Sequence, residues 1–217
     1  MPFIRLRFWN LKPFRVNFVD SPQFLYTFIK ILEFEPCFGF KVPGIVPAMK
    51  NFLDEHSFKK LIKEDKYQVF LLTCPASFPV NFVIHPWFVI NRKGVVSRWE
   101  VNFWRVETGT KWGHLYKDAL PIHQGMRMIA FSNLFWWKAR LIASIEGDEH
   151  SLAARMAEFI VRSNELYSQS YIYSLIGNNS NTYVQWVINH FPEAHMKLPW
   201  NSLGKYKAAN IPLINRV

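Results

Sequence analysis

The spacing of apolar positions changes character along the chain. Phe3-Ile4-Arg5-Leu6-Arg7-Phe8 alternates in part and predicts a strand. Asp20-Ser21-Pro22 then has the form of a helix cap with proline at the first helical position, after which Phe24, Leu25, Phe28, Ile31 and Leu32 share one helical face. Pro36, Gly39, Pro43, Gly44 and Pro47 interrupt the next stretch. Met49, Phe52, Leu53, Phe58, Leu61 and Ile62 return to helical spacing, as one helix or a pair, with Lys59, Lys60 and Lys63 on the polar side.

From Tyr67 the pattern becomes that of strands. Tyr67–Cys74, Pro79–Asn91 and Val95–Val106 are rich in Val, Ile, Phe and Trp and are separated by Pro75 and by Asn91-Arg92-Lys93-Gly94, which predicts adjacent antiparallel strands. Thr108–Gln124 reads as irregular, and Lys138–Ile145 restores a strand. Asp148, with Glu149 in the first turn, is placed to cap a helix whose apolar face is Leu152, Ala153, Met156, Phe159 and Ile160. Tyr183, Val184, Val187, Ile188 and Phe191 signal a last helix, ended by Pro192. The expectation is an α+β domain over residues 67–217, an antiparallel sheet packed against helices. Residues 1–66 are expected to form an N-terminal strand and helical extension packed on its core.

Composition narrows the function classes. Half of the 217 residues are hydrophobic and 17% aromatic, which excludes a disordered or low-complexity chain. Two cysteines, Cys37 and Cys74, exclude a disulfide-dense scaffold and a four-cysteine zinc site, leaving one bridge or two reduced thiols. No apolar stretch approaches the roughly 18–20 residues of a spanning helix. Met1 to Val16 has Arg5, Arg7, Lys12 and Arg15 among its aromatics and lacks a signal peptide's apolar run, so a cytoplasmic location is expected, or a peripheral one at a membrane surface. The formal charge of +10 favours phosphate, acidic partners or anionic lipid. Trp99, Trp104, Trp136 and Trp137 are numerous enough for a stacking surface, but aromatics at strand spacing are more often core and the basic residues are spread out. Nucleic acid is therefore disfavoured.

The chemistry-bearing residues are few. The seven histidines lack metal-ligand spacing, no phosphate-cradling Gly-rich loop occurs, and neither a metal nor a cofactor is expected. His85 stands apart because it interrupts an almost wholly apolar strand, where a titratable ring needs a partner. Gly177-Asn178-Asn179-Ser180-Asn181-Thr182 is a polar cluster at the start of the last helix, and capping by itself accounts for such a composition.

Together, His85-Pro86-Trp87-Phe88 and Asn179-Ser180-Asn181-Thr182-Tyr183-Val184 resemble the circularly permuted branch of the papain-like, NlpC-type superfamily, in which the base strand precedes the nucleophile helix. Ser180 stands where that branch carries cysteine. A closer resemblance is to an uncharacterised bacterial family, a domain of unknown function, through His85 with Trp87, Trp99-Glu100-Val101, Gly177 to Tyr183, Leu198-Pro199 and Gly204-Lys205-Tyr206. It spans roughly Val80 to Tyr206, and its sharpest motif surrounds Ser180.

The resemblance implies a permuted papain-like fold in which Ser180 is a nucleophile and His85 its base, acting on an amide, ester or thioester of a small molecule, lipid or peptide. The macrodipole at a helix start contributes up to about 2 kcal/mol, or roughly 1.5 pKa units. That is too little to ionise a serine, so the base is indispensable. Backbone N–H groups near Asn181 would receive an oxyanion, with Asn178, Asn179, Thr182 and Trp87 around the cleft. Glu100 would orient His85, with Asn102, Asn178 and Asn179 as other polar candidates. A two-residue loop of Arg92 and Lys93 sets His85 opposite Glu100. A three-residue loop with Gly94 left-handed, which the Gly94 position favours, turns Glu100 to the other face. The missing cysteine and the positive charge support a second reading: a catalytically silent module that engages an anionic membrane surface or an acidic partner.

Overall fold

The fold was analysed in a computed structural model that describes residues 52–103, 109–129 and 134–213, all within one compact unit, Ala48–Val217. The expected strand at Phe3–Phe8, the helix after Pro22, Cys37 and Trp104 lie outside the described residues. Within them the protein is α+β: eight strands in an open antiparallel sheet, with helices against it.

Three long strands form its centre, β2 (Tyr67–Pro75), β3 (Ile84–Arg92) and β8 (Trp136–Gly147), joined by β4 (Val95–Val101). β1 (Phe52–Leu53), β5 (Thr110–Trp112) and β6 (Leu115–Lys117) complete the order β1-β8-β2-β3-β4-β6-β5, and β7 (Gln124–Arg127) pairs separately with β8. β2 and β3 are buried along almost their whole length because both sheet faces are covered, which is why they read as continuous apolar runs.

On one face Leu71, Phe88, Ile90, Trp99 and Val101 pack against α2 (Leu152–Val161) and α4 (Ser180–His190) through Met156, Ile160, Tyr183, Val184 and Val187. On the other, Phe70, Leu72, Cys74, Trp87 and Val89 meet Ala139 and Phe58 of α1 (Glu55–Lys59). A short α3 (Ser163–Leu166) follows α2, and a 3-10 helix at Lys205–Asn210 closes against α4. Among the described residues no helix is long and apolar enough to cross a membrane.

Several local expectations are corrected. The apolar spacing around Phe52 gives a short edge strand and one short helix, because Asp54 caps α1 by accepting the Ser57 N–H at 2.7 Å. Asp148 does not cap α2: Ser151 does, accepting from Ala154 N–H at 3.1 Å, while Asp148 is drawn to Lys66 at 2.6 Å. The stretch expected to be irregular contains the β5–β6 hairpin, turned at Gly113 and His114. Pro79–Val83 precedes β3 and is not part of it.

Candidate functional site

The hairpin between β3 and β4 decides where His85 points. Its loop has two residues, Lys93 (φ +50°) and Gly94 (φ +90°), both left-handed as a type I′ turn requires, and Asn91 Oδ1 accepts the Gly94 N–H at 2.8 Å. Neither expected register occurs. Arg92 pairs with Val95 and Phe88 with Trp99, so Trp87, one step further, faces Glu100, and His85 lies diagonally from Glu100 on the same face. The favoured three-residue loop would have turned Glu100 away, and a lysine accepting positive φ is what shortens it.

A buried polar row results. His85 Nε2 lies 2.9 Å from Glu100 Oε2, which also accepts from Arg98 Nη2 at 2.9 Å. Arg98 Nε approaches Glu100 Oε1 at 2.8 Å, as an ion pair outside hydrogen-bond alignment. Arg98 and Glu100 are wholly buried. The guanidinium lies over Trp87, its carbon 4.3 Å from the ring centroid, and donates to the carbonyls of Pro121 and Gln124. Burial pushes the Glu100 carboxyl up, but Arg98 and His85 outweigh it and hold the pKa down at about 2.

Cys74 on β2 pairs with His85 across the ladder. It accepts the Met126 N–H at 3.2 Å, and burial pushes its thiol up to about 12, so it is a protonated core group. Arg98 was not singled out from the sequence, whereas Cys74, there half of a bridge or a reduced thiol, is a free buried cysteine. An arginine two residues before Glu100 on one strand shares its face, and that spacing was the available signal.

The start of α4 is a knot of loops. Asn179 is the N-cap: its Oδ1 accepts from Asn181 N–H at 2.9 Å and Thr182 N–H at 3.3 Å, while its Nδ2 donates to the carbonyls of Leu175 (2.9 Å) and Leu203 (3.1 Å). Thr182 Oγ1 accepts from Asn179 N–H and lies 2.8 Å from Gly177 O and 3.0 Å from Gly204 O. Asn178 Nδ2 donates to Gln169 Oε1, and Asn181 Nδ2 to Ile84 O at 3.1 Å. Gly204 (φ +91°) must be glycine, since a Cβ there would lie 2.5 Å from Gly177 O. Lys205 Nζ donates to Pro199 O at 2.8 Å. Most residues of the late motifs thus tie three loops to one helix end.

Ser180, the first residue of α4, is buried. Among the described residues no hydrogen bond joins it to His85. The helix that carries Ser180 and the His85 ring also lie on different faces of the sheet. α4 packs on the Phe88 and Trp99 face, with the Phe88 and Tyr183 rings 6.4 Å apart, whereas the His85 ring lies beside Trp87, 5.9 Å away, on the opposite face. The Asn181 N–H that would receive an oxyanion is already donated to Asn179.

The family described as protein of unknown function DUF3750 matches residues 66–206. The chain belongs to this family. The match runs from the start of β2 to the 3-10 helix and so takes in both the His85 row and the α4 knot. No curated protein and no solved structure matches the chain.

Proposed function

We propose that this member of the DUF3750 family is a binding module for an anionic surface, in which the Asn178–Thr182 cluster is structural. What supports the reading is that the His85 ring turns to the sheet face opposite the one α4 covers: a serine at a helix start has no ionising aid beyond the dipole and needs its base within hydrogen-bond reach. The commitment of the capping groups to Leu175, Leu203, Gly177 and Gly204 supports it, and so does the charge of +10. A hydrolase or acyl-transferase of permuted papain-like type, working through Ser180, His85 and Glu100, is the competing reading.

A serine-directed fluorophosphonate probe separates the two. The full chain is expected to stay unlabelled at Ser180, and Ser180→Ala is expected to keep the salt-sensitive affinity of the wild type for polyglutamate or anionic vesicles. Labelling of the wild type that Ser180→Ala abolishes would overturn the binding-module reading.

A further inference from the structure

The two ends of the central strands differ in chemistry. At the Arg92 end, opposite charges are matched: Arg92 with Glu158 at 3.2 Å, Lys93 with Glu149 at 2.9 Å, Lys66 with Asp148, and Lys63 with Glu146. At the Ile84 end, three loops converge on the α4 start. Asn201 Nδ2 donates to Phe82 O at 2.9 Å, Ile84 N–H reaches Asn201 O, and Asn179 joins the loops of Leu175 and Leu203.

These loops expose large apolar side chains that the core could have taken. Phe82 is 69% exposed, Ile176 71%, Trp200 81% and Tyr206 79%, with Leu175 and Leu203 beside them. No Asp or Glu occurs in residues 67–99, 166–192 or 194–217, and Lys205 and Lys207 follow Gly204 in one of the loops that meet here. Lys205 lies over the Tyr206 ring, 5.2 Å from its centroid. Trp, Tyr and aliphatic side chains with lysine and without carboxylates are the composition of a surface that sits at the lipid headgroup level.

We propose that the Ile84 end of the sheet, with Phe82, Ile176, Trp200 and Tyr206 as its inserting side chains and Lys205 and Lys207 as its headgroup contacts, docks on an anionic lipid bilayer. The proposal rests on the binding-module reading and names its partner. An acidic protein would be met by the lysines but gives no role to apolar side chains standing clear of the surface. A bilayer uses both, and the matched charges at the other end stay in water.

The test is sedimentation of the full-length chain with vesicles of phosphatidylcholine alone and mixed with phosphatidylglycerol, at low and raised salt, beside soluble polyglutamate-binding measurements. Wild type is expected to bind mixed vesicles and to weaken as salt rises. The exposed substitutions Trp200→Ser with Ile176→Ser are expected to weaken vesicle binding by roughly tenfold or more while sparing polyglutamate. Lys207→Glu is expected to weaken both, by at least about fivefold for vesicles. Equal vesicle binding by wild type and the Trp200/Ile176 variant would overturn the docking surface. Binding to polyglutamate without vesicle binding would overturn it while leaving the binding module standing. Binding to neither would overturn both.

Discussion

The buried ion pair offers the sharpest quantitative test. Glu100→Gln preserves the shape of the side chain and removes its charge, leaving the Arg98 guanidinium, which has no exposure, without a counter-charge. Breaking a buried pair from one side costs about 3–5 kcal/mol. For a domain of this size, with about 2–4 °C of melting temperature per kcal/mol, that is a fall of roughly 10 °C.

The acid limb gives a second, independent number. The Glu100 pKa is held down from 4.5 to about 2 in the folded protein, so its ionised form contributes stability that is fully present above pH 4.5 and is lost as pH falls through about 2. At 1.36 kcal/mol per unit the contribution is about 3 kcal/mol. Urea unfolding followed by tryptophan fluorescence from pH 7 down to 2 should show the wild type losing about that much more stability than Glu100→Gln across the acid limb. Every other carboxylate is common to both proteins and cancels. Parallel curves below pH 4.5, or a cost under about 1 kcal/mol at neutral pH, would refute the reasoning.

Two further outcomes follow from the same contacts. Asn179→Ala removes the α4 cap and two hydrogen bonds to loop carbonyls, and should cost about 2–3 kcal/mol in denaturant unfolding, with new proteolytic cleavage within residues 171–178 and 199–204. In a Cys37→Ser background, Cys74 should resist thiol reagents at pH 8 and react on unfolding, because its thiol is buried and pushed up to about 12; prompt labelling of the native protein would contradict that placement.

Element type was readable from sequence wherever burial imposes a pattern. β2 and β3 are covered on both faces and read as unbroken apolar runs, and the helices at Leu152–Val161 and Ser180–His190 keep their apolar residues at helical spacing. Caps were less readable. Asp148 and Ser151 are both good N-caps, and Asp148 is diverted by Lys66, a residue 82 positions away in sequence. The pairing of His85 with Glu100 turned on a single backbone choice. Side chains alternate faces with period two, so whether the loop held two residues or three decided whether Glu100 met His85 or turned away, and a lysine at φ +50° is not signalled by composition.

The sequence by itself determined an aromatic-rich α+β chain of strongly positive charge, a polar cluster at a helix start and a histidine that needed a partner, because local periodicity and composition are properties of neighbouring residues. Only the tertiary structure decided which face of the sheet α4 covers, and that the His85 ring turns to the other. It also decided that Glu100, itself paired with Arg98, is the partner of His85, and that the apolar Phe82, Ile176 and Trp200 stand in solvent around one end of the sheet. These are relations between segments up to 119 positions apart, as with Asn201 and Phe82. They are fixed by long-range packing and strand register, which local pattern does not encode.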